Sequence, residues 1–245
     1  ADYAPAADGE IGYDSTSNSY DIMVNGSAAA LLHTGSVLDD LSDVTLTTPA
    51  TGQGIIYNGT TWVNSTVGSL ILLASATASN STSVDFTSYI DNTYDHYVVT
   101  GDGIVPATDD VQLLMRVSED AGSSWKSGAS DYSYYGLQVG IGTNYFSASA
   151  AKSIVFNTHN ATSKLSNNSS EPATFEVHFC NPSSTTLKKV FYWQLAYIQA
   201  AGGAWFSPGS GSYIGTNNAI TGIRFLMNTG NITTGNFHLY GVRKA

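Results

Sequence analysis

From residue 69 onward, apolar residues recur at every second position in run after run. Val111, Leu113, Met115 and Val117 share one face of an extended segment, as do Phe175, Val177 and Phe179, with Glu176 and His178 between them. Phe191, Trp193, Leu195 and Tyr197 repeat the pattern, and so do Ile223, Phe225 and Met227. Alternation of period two marks strands with one face on a core and the other toward water. Shorter runs predict further strands near residues 70–76, 96–100, 134–139, 153–157 and 237–242. The total is roughly nine or ten strands joined by Gly, Ser, Asn and Pro turns, which predicts an all-β fold: a two-sheet antiparallel β-sandwich of the jelly-roll type. The chain has no strand–helix–strand rhythm of the kind a parallel α/β fold needs.

Residues 1–68 read differently. Two short, imperfect copies of one hairpin-like pattern stand here: Gly9 to Asp14 running on to Asn18-Ser19-Tyr20, and Gly52-Gln53-Gly54-Ile55-Ile56-Tyr57-Asn58-Gly59-Thr60-Thr61-Trp62. Each has a few apolar residues, a Tyr, a polar turn and a second aromatic. Hairpins of this size bury too little apolar surface to stand alone in water, so they need neighbours, and repeated units commonly find them in other copies of the chain. Between them, Leu38, Leu41 and Val44 are spaced for one helical turn or a tight bend. Asp39, Asp40 and Asp43 lack the glycine-centred loop and terminal Glu of a calcium hand and read as a solvated bend. The expected division is 1–68, a hairpin-repeat region, and 69–245, a β-sandwich.

Composition sharpens this picture. Charged residues make up only 11% of the 245, against roughly 25% in ordinary globular domains. Gly, Ser, Thr and Asn take their place, and there are 15 Tyr. The net charge is −10, with nine Lys and Arg scattered along the chain, so neither nucleic acid nor an anionic membrane surface is expected as a partner. The longest apolar stretch, Leu70 to Ala74, is too short to span a bilayer. Cys180 is the single cysteine, which excludes an intrachain disulfide, and the expectation is a small buried hydrophobe. Ala1 to Gly9 has neither the basic nor the apolar part of a secretory signal.

Several stretches resemble tailed-bacteriophage fibre and appendage proteins. They are Leu38-Asp39-Asp40-Leu41-Ser42-Asp43-Val44-Thr45, then Gly52-Gln53 through Tyr57-Asn58-Gly59-Thr60-Thr61-Trp62, the central Tyr94-Asp95-His96-Tyr97, and the closing Ile223-Arg224-Phe225 with Phe237 to Val242. The resemblance implies a homotrimer on the virion surface, tail or capsid. Its slim N-terminal part would contact other virion proteins, and its globular knob would serve host attachment or capsid decoration. A tail-fibre-like adhesin for host-surface polysaccharide is the leading expectation; a capsid decoration or head-fibre protein and a glycan depolymerase are the alternatives.

Candidate chemistry is sparse, and the expectation is binding rather than catalysis, with no cofactor and no metal. Ser118-Glu119-Asp120-Ala121-Gly122-Ser123-Ser124-Trp125 resembles the Asp box of sialidases, where the motif is a turn-former. Arg116, Arg224 and Arg243 match the number of arginines such an enzyme uses for a carboxylate, although the first two fall inside strands. The four Glu and the turn-bound Asp residues nominate no catalytic pair. His96, His178 and His238 lie on polar strand faces without metal-ligand spacing. Gly209-Ser210-Gly211-Ser212 reads as a loop, not as a nucleophile elbow. Two aromatic groups remain: Tyr132, Tyr134 and Tyr135, and Trp205 and Phe206 with Tyr213. Sugar rings stack on such side chains while neighbouring Asp, Asn or Ser bond their hydroxyls. The competing reading, and the favoured one for these rings, is core or subunit interface.

Overall fold

The computed structural model describes residues 11–14, 19–24, 27–30, 38, 41–66, 68–140, 143–157 and 164–242. Contacts divide the chain into two compact units, Ala1–Val67 and Gly68–Ala245. Every described element is a strand or an irregular connection, and nearly all pairing is antiparallel. The protein is all-β.

In the first unit, β1 (Ile11–Asp14), β2 (Ser19–Val24) and β3 (Ser27–Ala30) form an antiparallel sheet in which Tyr13 faces Tyr20 and Asp14 faces Ser19. The second sheet is of another kind. Here β4 (Val44–Thr45) runs parallel to β6 (Trp62–Thr66), and β5 (Gln53–Tyr57) pairs antiparallel with β6. The two sheets differ in strand order and direction and do not establish a structural repeat. The β5–β6 turn is closed by Asn58, whose Oδ1 accepts from the Thr60 and Thr61 N–H groups at 2.9 Å, and by Gly59 at a φ of 101°. The bend before β4 is held by Leu41 N–H to Leu38 O at 3.3 Å and Val44 N–H to Leu41 O at 3.0 Å. Asn64 ties the β4–β5 connection to the hairpin, accepting from Thr47 N–H at 2.7 Å and donating to Thr47 O at 3.0 Å. This sheet hides little apolar surface: Ile55, Tyr57 and Trp62 stay exposed, the last two in ring contact at 5.5 Å.

The second unit is a β-sandwich. Its strands are β7 (Leu70–Ser81), β8 (Val84–Phe86), β9 (His96–Pro106), β10 (Leu113–Ser118), β11 (Tyr132–Val139), β12 (Thr143–Ala151), β13 (Ile154–Val155), β14 (Ala173–Cys180), β15 (Lys189–Ile198), β16 (Ala204–Tyr213), β17 (Gly222–Met227) and β18 (Ile232–Val242). The four-stranded sheet is ordered β13-β10-β17-β8, and the eight-stranded sheet β12-β11-β16-β15-β14-β9-β18-β7. Removing two hairpins, β11–β12 and β15–β16, leaves β7-β18-β9-β14 opposite β8-β17-β10-β13. In that order the chain crosses between sheets at every step but one, from β10 to its neighbour β13, and its first strand pairs with its last, which is the winding of a jelly roll. The two hairpins extend the larger sheet beyond β14.

The core lies between the sheets. Phe175 of β14 meets Phe225 of β17 at 5.0 Å between ring centres, and Phe225 meets Phe237 of β18 at 5.7 Å. The period-two runs supply these rings, as their alternation requires. On β14 the same alternation turns Thr174, Glu176, His178 and Cys180 outward, so Cys180 is exposed rather than buried.

Three strands of this unit escape the sequence reading. β8 is only three residues long, β12 is Ser- and Ala-rich, and β16 contains the Gly209–Ser212 segment expected as a loop. That segment is paired on both sides, Gly209 with Gly136 and Trp193, and Gly211 with Tyr134 and Phe191. Glycine is used here to admit a large ring: a Cβ on Gly209 would stand 2.2 Å from the Trp193 indole, and one on Gly136 would stand 2.1 Å from Phe146.

Candidate functional site: the outer face of the large sheet

Because side chains alternate along a strand, each predicted aromatic group splits between two faces. Tyr132 and Tyr134 of β11 point into the core, as do Trp205 and Tyr213 of β16; each is less than a tenth exposed. Tyr132 is held from both ends of its hydroxyl, accepting from Val117 N–H at 2.8 Å and donating to Lys126 O at 3.1 Å. Tyr213 packs against Tyr132 at 5.6 Å and donates to Glu119 Oε1 at 2.8 Å. Burial drives the Tyr132 phenol far above its ordinary range and pushes Tyr134 up to about 12, so both remain neutral. These four rings cannot meet a sugar. They serve the core, and their neighbours Tyr135 and Phe206 take the outward positions, 52% and 40% exposed.

The outer face collects further rings that the sequence reading did not nominate. Tyr145 of β12 lies 5.9 Å from Tyr135. Tyr192 of β15 stacks flat on His178 at 4.4 Å with 9° between planes. Strand register explains the grouping: Tyr135 faces Ser147 on one side and Ser210 on the other, Ser210 faces Tyr192, and Tyr192 faces His178. One row across five strands thus runs Ser147, Tyr135, Ser210, Tyr192 and His178, with hydroxyls between the rings as far as the Tyr192–His178 stack. Only the cross-strand register brings these residues together, and spacing along the chain does not reveal that register.

Two depressions open on this face. The larger, of about 510 Å³, is bordered by Tyr135 and Val190 and floored by serines, including Ser133 and Ser212, which share a hydrogen bond of 3.0 Å. It is neutral, and its depth follows from serines standing where longer side chains would fill the space. The smaller, of about 310 Å³, lies over β9, β14, β15 and β16. Its walls are Phe206, Gln194, Glu176 and Asp102, and Ala196 lies low between its cross-strand neighbours Thr174 and Phe206. Thr174 donates to Asp102 Oδ1 at 2.7 Å.

The histidines are only partly assembled. His96 Nε2 and His178 Nδ1 are 3.1 Å apart, and burial, with the His178 charge second, lowers the His96 pKa. His238 is bonded instead to Ser75 at 2.9 Å. Among the described residues no three His, Cys, Asp or Glu converge as a metal set.

The Asp-box segment lies elsewhere and is occupied by its own structure. Asp120 accepts from Ser124 N–H at 2.8 Å and from the Ser118 hydroxyl at 2.6 Å, while Ala121 and Gly122 take positive φ. Glu119 accepts from Tyr213, Thr216 and Asn218 and pairs with Lys126 at 2.6 Å. Burial pushes its carboxyl up, but Lys126 and the three donors outweigh that and bring it down to about 2. A carboxylate so held is ionised at any ordinary pH and is not a general acid. Arg224 forks onto Asp85 at 2.6 and 2.7 Å and lies 4.3 Å over the Trp125 ring. Arg116, directly opposite Arg224 in the register, bonds Ser153 at 2.8 Å. Arg243 lies outside the described residues, as do Asp39 and Asp40.

Comparison with known proteins finds no match: no family model, curated protein or solved structure is similar to this chain.

Proposed function

We propose that this chain is a non-catalytic surface protein of a phage-type virion whose sandwich binds host polysaccharide on the outer face of its large sheet. The observation that carries this reading is the set of exposed rings on that face, Tyr135, Tyr145 and Tyr192, with Tyr135 bordering a neutral depression lined by serine hydroxyls. Apolar ring faces stack on sugar C–H groups, and fixed small hydroxyls bond the sugar's own; a protein surface facing only water gains nothing from such exposed rings. The sequence motifs of the first 68 residues support the virion assignment. The exposed Ile55, Tyr57 and Trp62 support an attachment role for that unit, in contacts with other virion proteins or with further copies in a homotrimer.

The test is adsorption. Tyr135→Ala is expected to keep the wild-type trimeric mass by light scattering and to lose most binding to host cells and to their purified polysaccharide. Wild-type adsorption by that variant would overturn the glycan reading. Heads coated by the protein, with adsorption independent of it, would favour capsid decoration instead. Release of reducing ends from the polysaccharide would mark a depolymerase.

A further inference from the structure

The strands of the large sheet contain a single Lys or Arg, Lys189, and it is buried, with its ammonium bonded to the carbonyls of Ser184, Leu187 and Asn217 at 2.6, 2.8 and 3.1 Å. The outer face of these eight strands therefore offers no permanent positive charge to a ligand. The two arginines of the smaller sheet, Arg116 and Arg224, are engaged with Ser153 and Asp85. By contrast, the smaller depression of the large sheet brings two carboxylates to one place. Asp102 on β9 and Glu176 on β14 are diagonal neighbours across one strand pair, a spacing of roughly 7–8 Å between positions. Phe206 stands on the far side of Ala196, and Gln194 beside it.

Each group in this depression has a chemical consequence. The Phe206 face attracts either the C–H face of a sugar ring or a cation. Gln194 and Thr100 offer both donors and acceptors. Asp102 spends one oxygen on Thr174, and Glu176 Oε1 lies 3.7 Å from His178 Nε2. A carboxylated or sulfated sugar entering here would meet two like charges and no Lys or Arg to balance them. A protonated amine would meet opposite charge on one side and an aromatic face on the other.

We infer that this depression is an amine-selecting subsite, which takes sugar residues bearing a protonated amino group and rejects acidic sugars. The inference rests on the glycan reading above and adds to it the class of sugar. The neutral, serine-floored depression around Tyr135 contacts hydroxylated rings without regard to charge, and the Asp102–Glu176 depression supplies the discrimination. It also follows that binding through this subsite weakens with salt, because both carboxylates are reached from solvent.

The experiment uses the full chain and three oligosaccharides of equal length: glucosamine, N-acetylglucosamine and a uronic acid, titrated at one pH at millimolar concentrations and followed by backbone amide NMR. The glucosamine oligomer is expected to bind about tenfold more tightly than the acetylated one, with shifts on β9, β14 and β16, and the uronic oligomer to leave those strands unshifted. Asp102→Asn with Glu176→Gln is expected to abolish the preference while preserving the melting temperature. Equal binding of the amine and acetylated forms, or a preference that survives the double substitution, overturns the subsite. So does the absence of any shift with the glucosamine oligomer. In each of these cases Tyr135→Ala adsorption decides the glycan reading separately.

Discussion

At the scale of single residues, the best-anchored polar group is the Glu119 carboxylate, and its energetics are linked to pH. Its ordinary value of 4.5 falls to about 2 in the folded protein. The unfolded chain therefore takes up a proton at higher pH than the folded one, and stability present above 4.5 is lost as pH falls toward 2. Glu119→Gln keeps the shape but removes the charge facing Lys126 and weakens three accepted bonds. The expected cost near neutral pH is about 2 kcal/mol, a melting temperature lower by about 4–8 °C. The gap between variant and wild type should narrow as the melts are moved to acid. The same scale shows what a sequence hides: Tyr134 and Tyr135 are adjacent and chemically identical, and one is core while the other is surface. Composition nominated the cluster, but only strand phase separates the ring that packs from the ring that can bind.

At the scale of elements, the alternating runs were legible because each carries large apolar residues at period two; β10, β14, β15 and β17 all follow it. β16 was not legible, for a physical reason. Its Gly209 and Gly211 are required not by a turn but by the rings and backbone of neighbouring strands, so turn-forming composition here means close packing. Gly209→Ala tests this directly. The new methyl would press on Trp193, which is fully buried and bonded through Nε1 to Phe156 O at 3.1 Å. The substitution should cost about 3 kcal/mol in urea denaturation. Ser210→Ala, one residue away and facing outward, should cost close to nothing. Equal, small effects of both would mean that β16 is not packed as described. β12 escaped for a related reason: Ser and Ala on its outward and inward faces give no contrast for periodicity to detect.

At the scale of the whole molecule, eight strands follow a jelly-roll path, and two inserted hairpins widen one sheet. Those hairpins carry most of the exposed rings and the serine-floored depression, so the addition to the fold and the candidate binding surface coincide. A jelly roll alone would end the sheet at β14 and leave Tyr135, Tyr145, Tyr192 and Phe206 without a platform. The general fold was readable from the sequence. The widened sheet was not, because pairing of β11 with β16 joins segments about 70 residues apart with no local signal. The most direct test of glycan binding on this face is hydrogen exchange of the full chain with and without host polysaccharide. Added protection concentrated on β11, β12, β15 and β16 is the predicted result. Protection confined to the smaller sheet around Arg116 and Arg224, or to residues 1–68, or absent altogether, would contradict it.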